Sequence, residues 1–268
     1  MYFVGLDLAW GVRNPTGVAV VDTAGSLVHV GAAVDDDGIV EQVAPYIDHA
    51  CLVGIDAPLI VNNATGRRRA EKELSADFHL FHAGAYPANT GLAAFVGGPR
   101  GGRLAERLGL DMNPYSAGRK RAIEVYPHSA SVALFNLDRI VKYKRGDVHQ
   151  RRSELRRLMG LIETLSERTP PLHVSNVPAW VALRDAVATA TGPAQLRRAE
   201  DPVDAVLCAY TAMHFDGRPA DATIYGDFET GYIVTPTLPP DLVARGVAVR
   251  AAAAKKSTDS RRGRTLGG

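Results

Sequence analysis

Four acidic side chains stand at positions where the neighbouring residues call for apolar ones. Asp7 interrupts "FVGLDLAWG", Asp56 closes "VGIDAP", Glu124 lies within "RAIEVYP" and Asp204 within "DPVDAVLCAYTA". A lone carboxylate in an apolar setting costs several kcal/mol unless it is paired. Two of the segments are near copies, "VGLDLA" and "VGIDAP", each with Gly, one spacer residue and then Asp. Parallel neighbours built from them would bring Asp7 and Asp56 side by side. Carboxylates at close range repel, which raises one pKa strongly unless a cation intervenes. A hard divalent ion such as Mg²⁺ or Mn²⁺ takes oxygen ligands and keeps several waters, so a few carboxylates hold it. Two such ions roughly 3.5–4 Å apart can clamp the attacking water and the leaving oxygen of a phosphodiester hydrolysis. The candidate catalytic set is Asp7, Asp56, Glu124 and Asp204. The candidate metal ligands are Asp7, Asp56, Asp204 and Asp201.

Each member also has a plain structural reading. Asp7 could cap a turn beside a first hairpin, and Asp56 before "AP" is a common strand-end turn residue. Glu124 could pair with Arg121 or Lys120. Asp201 followed by Pro202 has the form of a helix N-cap and first-turn proline, which would place Asp204 at the third helical position. Capping and metal binding are compatible for Asp204, because a first-turn side chain can point back to a sheet edge. The set, more than any member, carries the functional reading.

The elements that would position these groups are legible in outline. Residues 2–8, 17–22 and 27–33 read as Val- and Leu-rich strands, with turn residues in "RNPTG" and "DTAGS" between them. A helix follows from about Gly38 to His49, and "CLVGIDAPL" supplies a fourth strand. Residues 66–82 read as a helix with Leu74, Phe78 and Phe81 on its apolar stripe, and residues 84–102 as a Gly- and Pro-rich stretch, loop-like at both ends, with "GGPRGG" a flexible loop. "RAIEVYP" reads as a fifth strand. A basic amphipathic helix presents Leu155, Leu158, Met159, Ile162 and Leu165 at helical spacing. Helices from Pro178 to Ala190 and from "DPVDAV" onward come next, and then a hairpin of "ATIYGD" and "TGYIVTP". This order predicts an α/β fold with one mixed sheet, helices on its faces, a helical and loop insertion and a C-terminal β-hairpin.

Composition sets the outer limits. The 268 residues are 46% hydrophobic and 22% charged, an ordinary globular balance with enough apolar residues for a sizeable core. Cys51 and Cys208 lack metal or disulfide spacing, which favours a reducing compartment. No signal peptide or membrane-length apolar segment is evident, so the expected location is cytoplasmic, with no membrane partner. Residues 250–268 hold six basic residues against Asp259, and read as a disordered basic tail behind one domain over residues 1–249. The stretch from Arg139 to Arg157 is also basic. It is either a solvated face or a phosphate-tracking stripe in which Lys142, Lys144, Arg151 and Arg152 grip nucleic acid.

Four motifs in order, "GLDLAW", "GIDAP", "EVYPHSA" and "DPVDAVLCAYTA" with "GYIVTP" after it, span most of residues 1–236. Together they resemble a domain family of unknown function described as predicted RNase H-like nucleases, related to the Holliday-junction resolvases. The resemblance implies an RNase H-like fold, with a five-stranded mixed sheet ordered 3-2-1-4-5 and strands one and four adjacent and parallel. It implies that Asp7 is the central metal ligand, that Asp56 replaces the Glu usual at the end of strand four, and that Asp204 with Asp201 matches an acidic pair on the last helix. Glu124 has no clear counterpart there.

Three functions compete. The first is a Mg²⁺- or Mn²⁺-dependent nuclease acting on DNA or RNA. The second is a non-catalytic nucleic-acid or protein-binding module on the same scaffold, which carboxylates held more than roughly 8 Å apart would favour. The third, an actin-like phosphotransferase, needs a second domain and phosphate loops that the sequence does not supply. His79 and His82 lack a third ligand, Ser129 and Ser131 lack a nucleophile elbow, and Trp10 and Trp180 read as core or rim.

Overall fold

The computed structural model describes residues 1–8 and 15–249. The tail from Arg250 onward and Trp10 lie outside the described residues. Strands β1 (Tyr2–Asp7), β2 (Thr16–Asp22) and β3 (Leu27–Ala33) form an antiparallel meander, and helix α1 (Asp36–Ile47) leads to β4 (Cys51–Ile55). A long excursion holds α2 (Arg69–Phe78) and α3 (Arg100–Arg107) before β5 (Lys120–Glu124). Helices α4 (Pro127–Phe135), α5 (Val148–Glu163), α6 (Pro178–Thr189) and α7 (Pro193–Gly217) follow. The hairpin of β6 (Ala222–Asp227) and β7 (Gly231–Pro236) comes next, and residues 240–249 are helical.

The main sheet has the order β3-β2-β1-β4-β5, and the hairpin is a second, two-stranded sheet. β1 runs parallel to β4, and β4 parallel to β5. β4 is buried throughout and β1 from Phe3 onward, so both faces of the sheet are covered, as their near-continuous apolar runs require. α7 is buried at every residue from Pro202 to Phe215, the pattern of a helix enclosed by its own protein. It lies so close to the sheet that a Cβ on Gly5 would fall 1.9 Å from the Ala205 carbonyl oxygen. Gly17 meets the Asp201 carbonyl at the same distance. Only glycine fits at either position.

Three local expectations change. α7 starts at Pro193, eight residues before Asp201, so Asp201 is not an N-cap and Asp204 is not at the third helical position. The start signal is "TGPAQ": Pro193 opens the first turn, and Gln195 Oε1 accepts from the Gly192 and Thr191 N–H groups at 3.0 and 2.7 Å. Pro202 stays inside the helix, lacking the N–H that would reach back to Arg198. "GGPRGG" is not wholly a loop. Arg100 opens α3 and pairs with Asp36 at 2.6 Å, while a Cβ on Gly102 would lie 2.4 Å from the Leu59 carbonyl. The basic stretch is helical only from Val148, behind an Asp147 N-cap that accepts from Gln150 N–H at 2.8 Å.

Cys51 and Cys208 are buried and unpaired, and Trp180 is buried with its indole N–H donating to Glu163 at 2.9 Å. Among the described residues no helix is long and apolar enough to cross a membrane.

Candidate functional site

The β1–β4 register ends at Leu6 opposite Ile55, so the next residues, Asp7 and Asp56, emerge together at the same sheet edge. The Asp56 N–H donates to the Leu6 carbonyl at 2.8 Å, which fixes that placement. Because glycines let α7 press onto the sheet, the same edge receives Asp201 and Asp204 one helical turn apart. The close approach of backbone is what converts four separate aspartates into one cluster.

A lysine whose side chain is 39% exposed reaches two of the four. Lys144 Nζ lies 2.7 Å from Asp204 Oδ2 and 3.7 Å from Asp7 Oδ2. The Tyr143 hydroxyl donates to Asp204 Oδ1 at 2.6 Å, so both oxygens of Asp204 are held. Asp7 is less well served, because its Oδ2 is buried without a hydrogen-bond partner. Burial raises the Asp7 pKa well above the usual carboxylate range. Lys144 opposes the shift, and Asp204, Asp56 and Asp201 add to it. Asp56 is pushed up to about 7 and Asp201 to about 6, again through burial first, with Lys144 opposing and Asp204 adding. Burial also works against the Lys144 charge, yet Asp204 and Asp7 outweigh it and hold the ammonium protonated. Four carboxylates thus share one cation.

Glu124 belongs to a different network. Arg68 clamps it through two hydrogen bonds, Nη1 to Oε2 at 2.9 Å and Nη2 to Oε1 at 2.5 Å, and the Leu59 N–H donates to Oε2 at 3.0 Å. Its partner is therefore Arg68, and neither Arg121 nor Lys120; Arg121 pairs with Asp216 at 2.7 Å. Arg68 also donates from Nε to Glu71 at 2.8 Å, and Glu71 accepts from the Arg68 and Ala88 backbone N–H groups. This network ties segments 58–60, 68–71 and 88 to the end of β5. Nothing in the sequence separates Arg68 from Arg67 and Arg69, because its burial is set by distant partners.

A cavity of about 1030 Å³ opens over the cluster. Its lining includes Asp7, Asp56, Asp201 and Lys144, the arginines Arg145, Arg197 and Arg198, the Arg68–Glu71–Glu124 network, and Tyr86, Tyr126 and Ile233. His128 lines it too, with burial depressing its pKa to about 4, so the imidazole is neutral at physiological pH. Of the four basic residues assigned to nucleic acid from sequence, Lys144 sits inside the carboxylate cluster and Lys142 is exposed. Arg151 is half-buried and pairs with Glu200 at 2.6 Å, and Arg152 donates to the Ala190 carbonyl at 3.1 Å. Both serve the protein's own structure. Arg145, Arg197 and Arg198 are exposed and form no ion pair among the described residues.

The donor set suits a hard divalent cation in two respects. Every candidate ligand is a carboxylate, and the buried Oδ2 of Asp7 lacks a partner. Against that, no group of three or more His, Cys, Asp or Glu side chains is placed to hold an ion among the described residues, and Lys144 Nζ lies near both Asp7 and Asp204. The lysine and a metal would compete for one place.

A mixed α/β sheet with acidic residues gathered at the ends of its central parallel strands and on the helix across them defines the class. Within it, a family model described as "Protein of unknown function (DUF429)" matches residues 5–230, and the chain belongs to that family. No curated protein and no solved structure matches it.

Proposed function

We propose that the chain is a phosphodiesterase that cuts nucleic acid with the help of Mg²⁺ or Mn²⁺. The observation that carries this is the crowding of Asp7, Asp56, Asp201 and Asp204 around a single ammonium, with one buried Asp7 oxygen receiving no hydrogen bond. The motif resemblance to RNase H-like nucleases and resolvases supports the same reading, as does a sheet of the order that the resemblance implies. Asp7, Asp56 and Asp204, with Asp201, would hold the ion; when bound it would supply charge neutralisation and a water acidic enough to attack phosphorus. Tyr143 fixes the Asp204 carboxylate, and Lys144, once displaced, lies within reach of the substrate phosphate. Glu124 acts at one remove, holding the cavity wall through Arg68 and Leu59. A cytoplasmic location is part of this reading, supported by two buried, unpaired cysteines.

The test is cleavage of single-stranded, duplex and branched DNA and RNA with either metal. The wild type is expected to cut at least one of them and Asp7→Asn none; a wild type inert across the panel removes the reading. Lys144 between Asp7 and Asp204 favours a second reading, a non-catalytic nucleic-acid-binding module in which the lysine is the permanent countercharge. That module would bind oligonucleotides in EDTA and remain inert with metal.

A further inference from the structure

We infer that the cavity is built for a single unpaired nucleotide, so that the substrate is a single-stranded or locally unpaired nucleic acid and not an intact duplex. The inference deepens the proposed phosphodiesterase reading and rests on it for the substrate's class. Three observations lead to it. Three of the carboxylates line the cavity, and Asp7 among them is only 9% exposed, so a phosphate reaches Asp7 only by entering it. At about 1030 Å³ that cavity sits at the upper end of the roughly 300–1,000 Å³ typical of small-molecule sites. It is far larger than a metal ion needs and too small to take in a duplex, whose major groove alone is about 12 Å wide.

Its wall chemistry fits the two ends of a nucleotide. Tyr86 is 61% exposed at the cavity and receives a hydrogen bond from Arg145 at 3.3 Å, which orients the ring beside a cation. Tyr126 lines the interior, its hydroxyl donating to the Gly84 carbonyl at 3.4 Å and its ring packed edge-on against His128. Aromatic faces with Pro58, Pro87 and Ile233 around them suit a base, while Arg145, Arg197 and Arg198 suit the flanking phosphates. Chemistry on a nucleotide at the bottom of a pocket requires that it be unpaired or swung out of the stack. Both tyrosine hydroxyls are engaged within the protein, Tyr86 by Arg145 and Tyr126 by the Gly84 carbonyl, so recognition is tolerant of sequence and strict about strandedness.

Fluorescence anisotropy in EDTA separates binding from cleavage, with the full-length wild type and 5′-labelled 12-nucleotide oligothymidylate, oligouridylate and a blunt duplex of equal length. The single strands are expected to bind at least tenfold more tightly than the duplex. Tyr86→Ala and Tyr126→Ala should each weaken single-strand binding about tenfold, the size of one lost base–aromatic stack. Tyr126→Phe, which keeps the ring, should bind like the wild type and guards against a folding artefact. Equal or tighter duplex binding, or single-strand binding unchanged in both alanine variants, overturns the inference. A wild type that binds single strands through Tyr86 yet cuts nothing upholds the inference and removes the phosphodiesterase reading. One that cuts duplex and ignores single strands does the opposite.

Discussion

Two buried charge clusters stand on adjacent strands at one edge of the sheet, and they resolve the same electrostatic problem in opposite ways. At the end of β5, Glu124 and Glu71 share the Arg68 guanidinium, and the N–H groups of Leu59, Arg68 and Ala88 donate to the carboxylates as well. At the ends of β1 and β4 and on α7 across them, Asp7, Asp56, Asp201 and Asp204 share one lysine ammonium, and Asp7 Oδ2 receives no hydrogen bond, with the Lys144 ammonium 3.7 Å away. A satisfied buried network rigidifies a fold, whereas an unsatisfied one stores an unfavourable interaction that a ligand can relieve. The first cluster is scaffolding for the cavity wall. The second is where chemistry is to be sought.

The sharpest separation comes from removing one charge from each. Asp7→Asn should lower metal-dependent cleavage by about a thousandfold or more, some 4 kcal/mol of transition-state stabilisation, while leaving the melting temperature equal or higher. Arg68→Met should do the reverse in kind, stranding two buried carboxylates at a cost of about 3–5 kcal/mol. Thermal melting would register that as a fall of about 10 °C. If Asp7→Asn destabilises as much as Arg68→Met, the distinction between the clusters is wrong.

That distinction is only half visible in the sequence. The sheet order follows from the turn residues of the first hairpins and from the twin segments around Asp7 and Asp56, whose glycines Gly5 and Gly54 pair in register. The aspartates themselves stand out because strand periodicity makes a lone acidic residue conspicuous. Glu124 stands out for the same reason, and nothing local says that its partner is Arg68, 56 positions away. Tyr143 and Lys144 sit in a basic run whose composition suggests a surface, although the chain folds back to place both against Asp204. Asp201–Pro202 imitates a helix start, and the true start at Pro193 wins because Gln195 caps it while Pro202 is tolerated inside. In each case the missing information is tertiary.

A smaller effect probes the lysine. Lys144→Met removes the resident cation and should tighten Mn²⁺ binding about tenfold, roughly 1.4 kcal/mol, measured by calorimetry on protein without substrate. Unchanged or weaker Mn²⁺ binding would make Lys144 an accessory of the site and no competitor for it.

The smallest expected effect is on stability as a function of pH, and its sign is the informative part. Asp56 has a folded-state pKa of about 7, above the roughly 3.9 of an unfolded aspartate, so the folded protein binds the extra proton between those values. The resulting stabilisation is fully present below the unfolded value and is lost as the pH rises through 7. Asp7 and Asp201 are raised as well and act in the same direction. The metal-free protein should therefore melt at progressively lower temperature from pH 5 to pH 8. Asp56→Asn should melt about 2–4 °C above wild type at pH 8, and the gap should close toward pH 4, where the folded-state Asp56 carboxyl is neutral. Burial raises Glu124 as well, against the opposing pull of Arg68, but neutralising it leaves a different remainder: Glu124→Gln breaks the fork on a buried guanidinium and should lose stability at pH 8. Opposite signs at two carboxylates one strand apart would identify the Asp7–Asp56 edge as the part of the fold kept electrostatically incomplete.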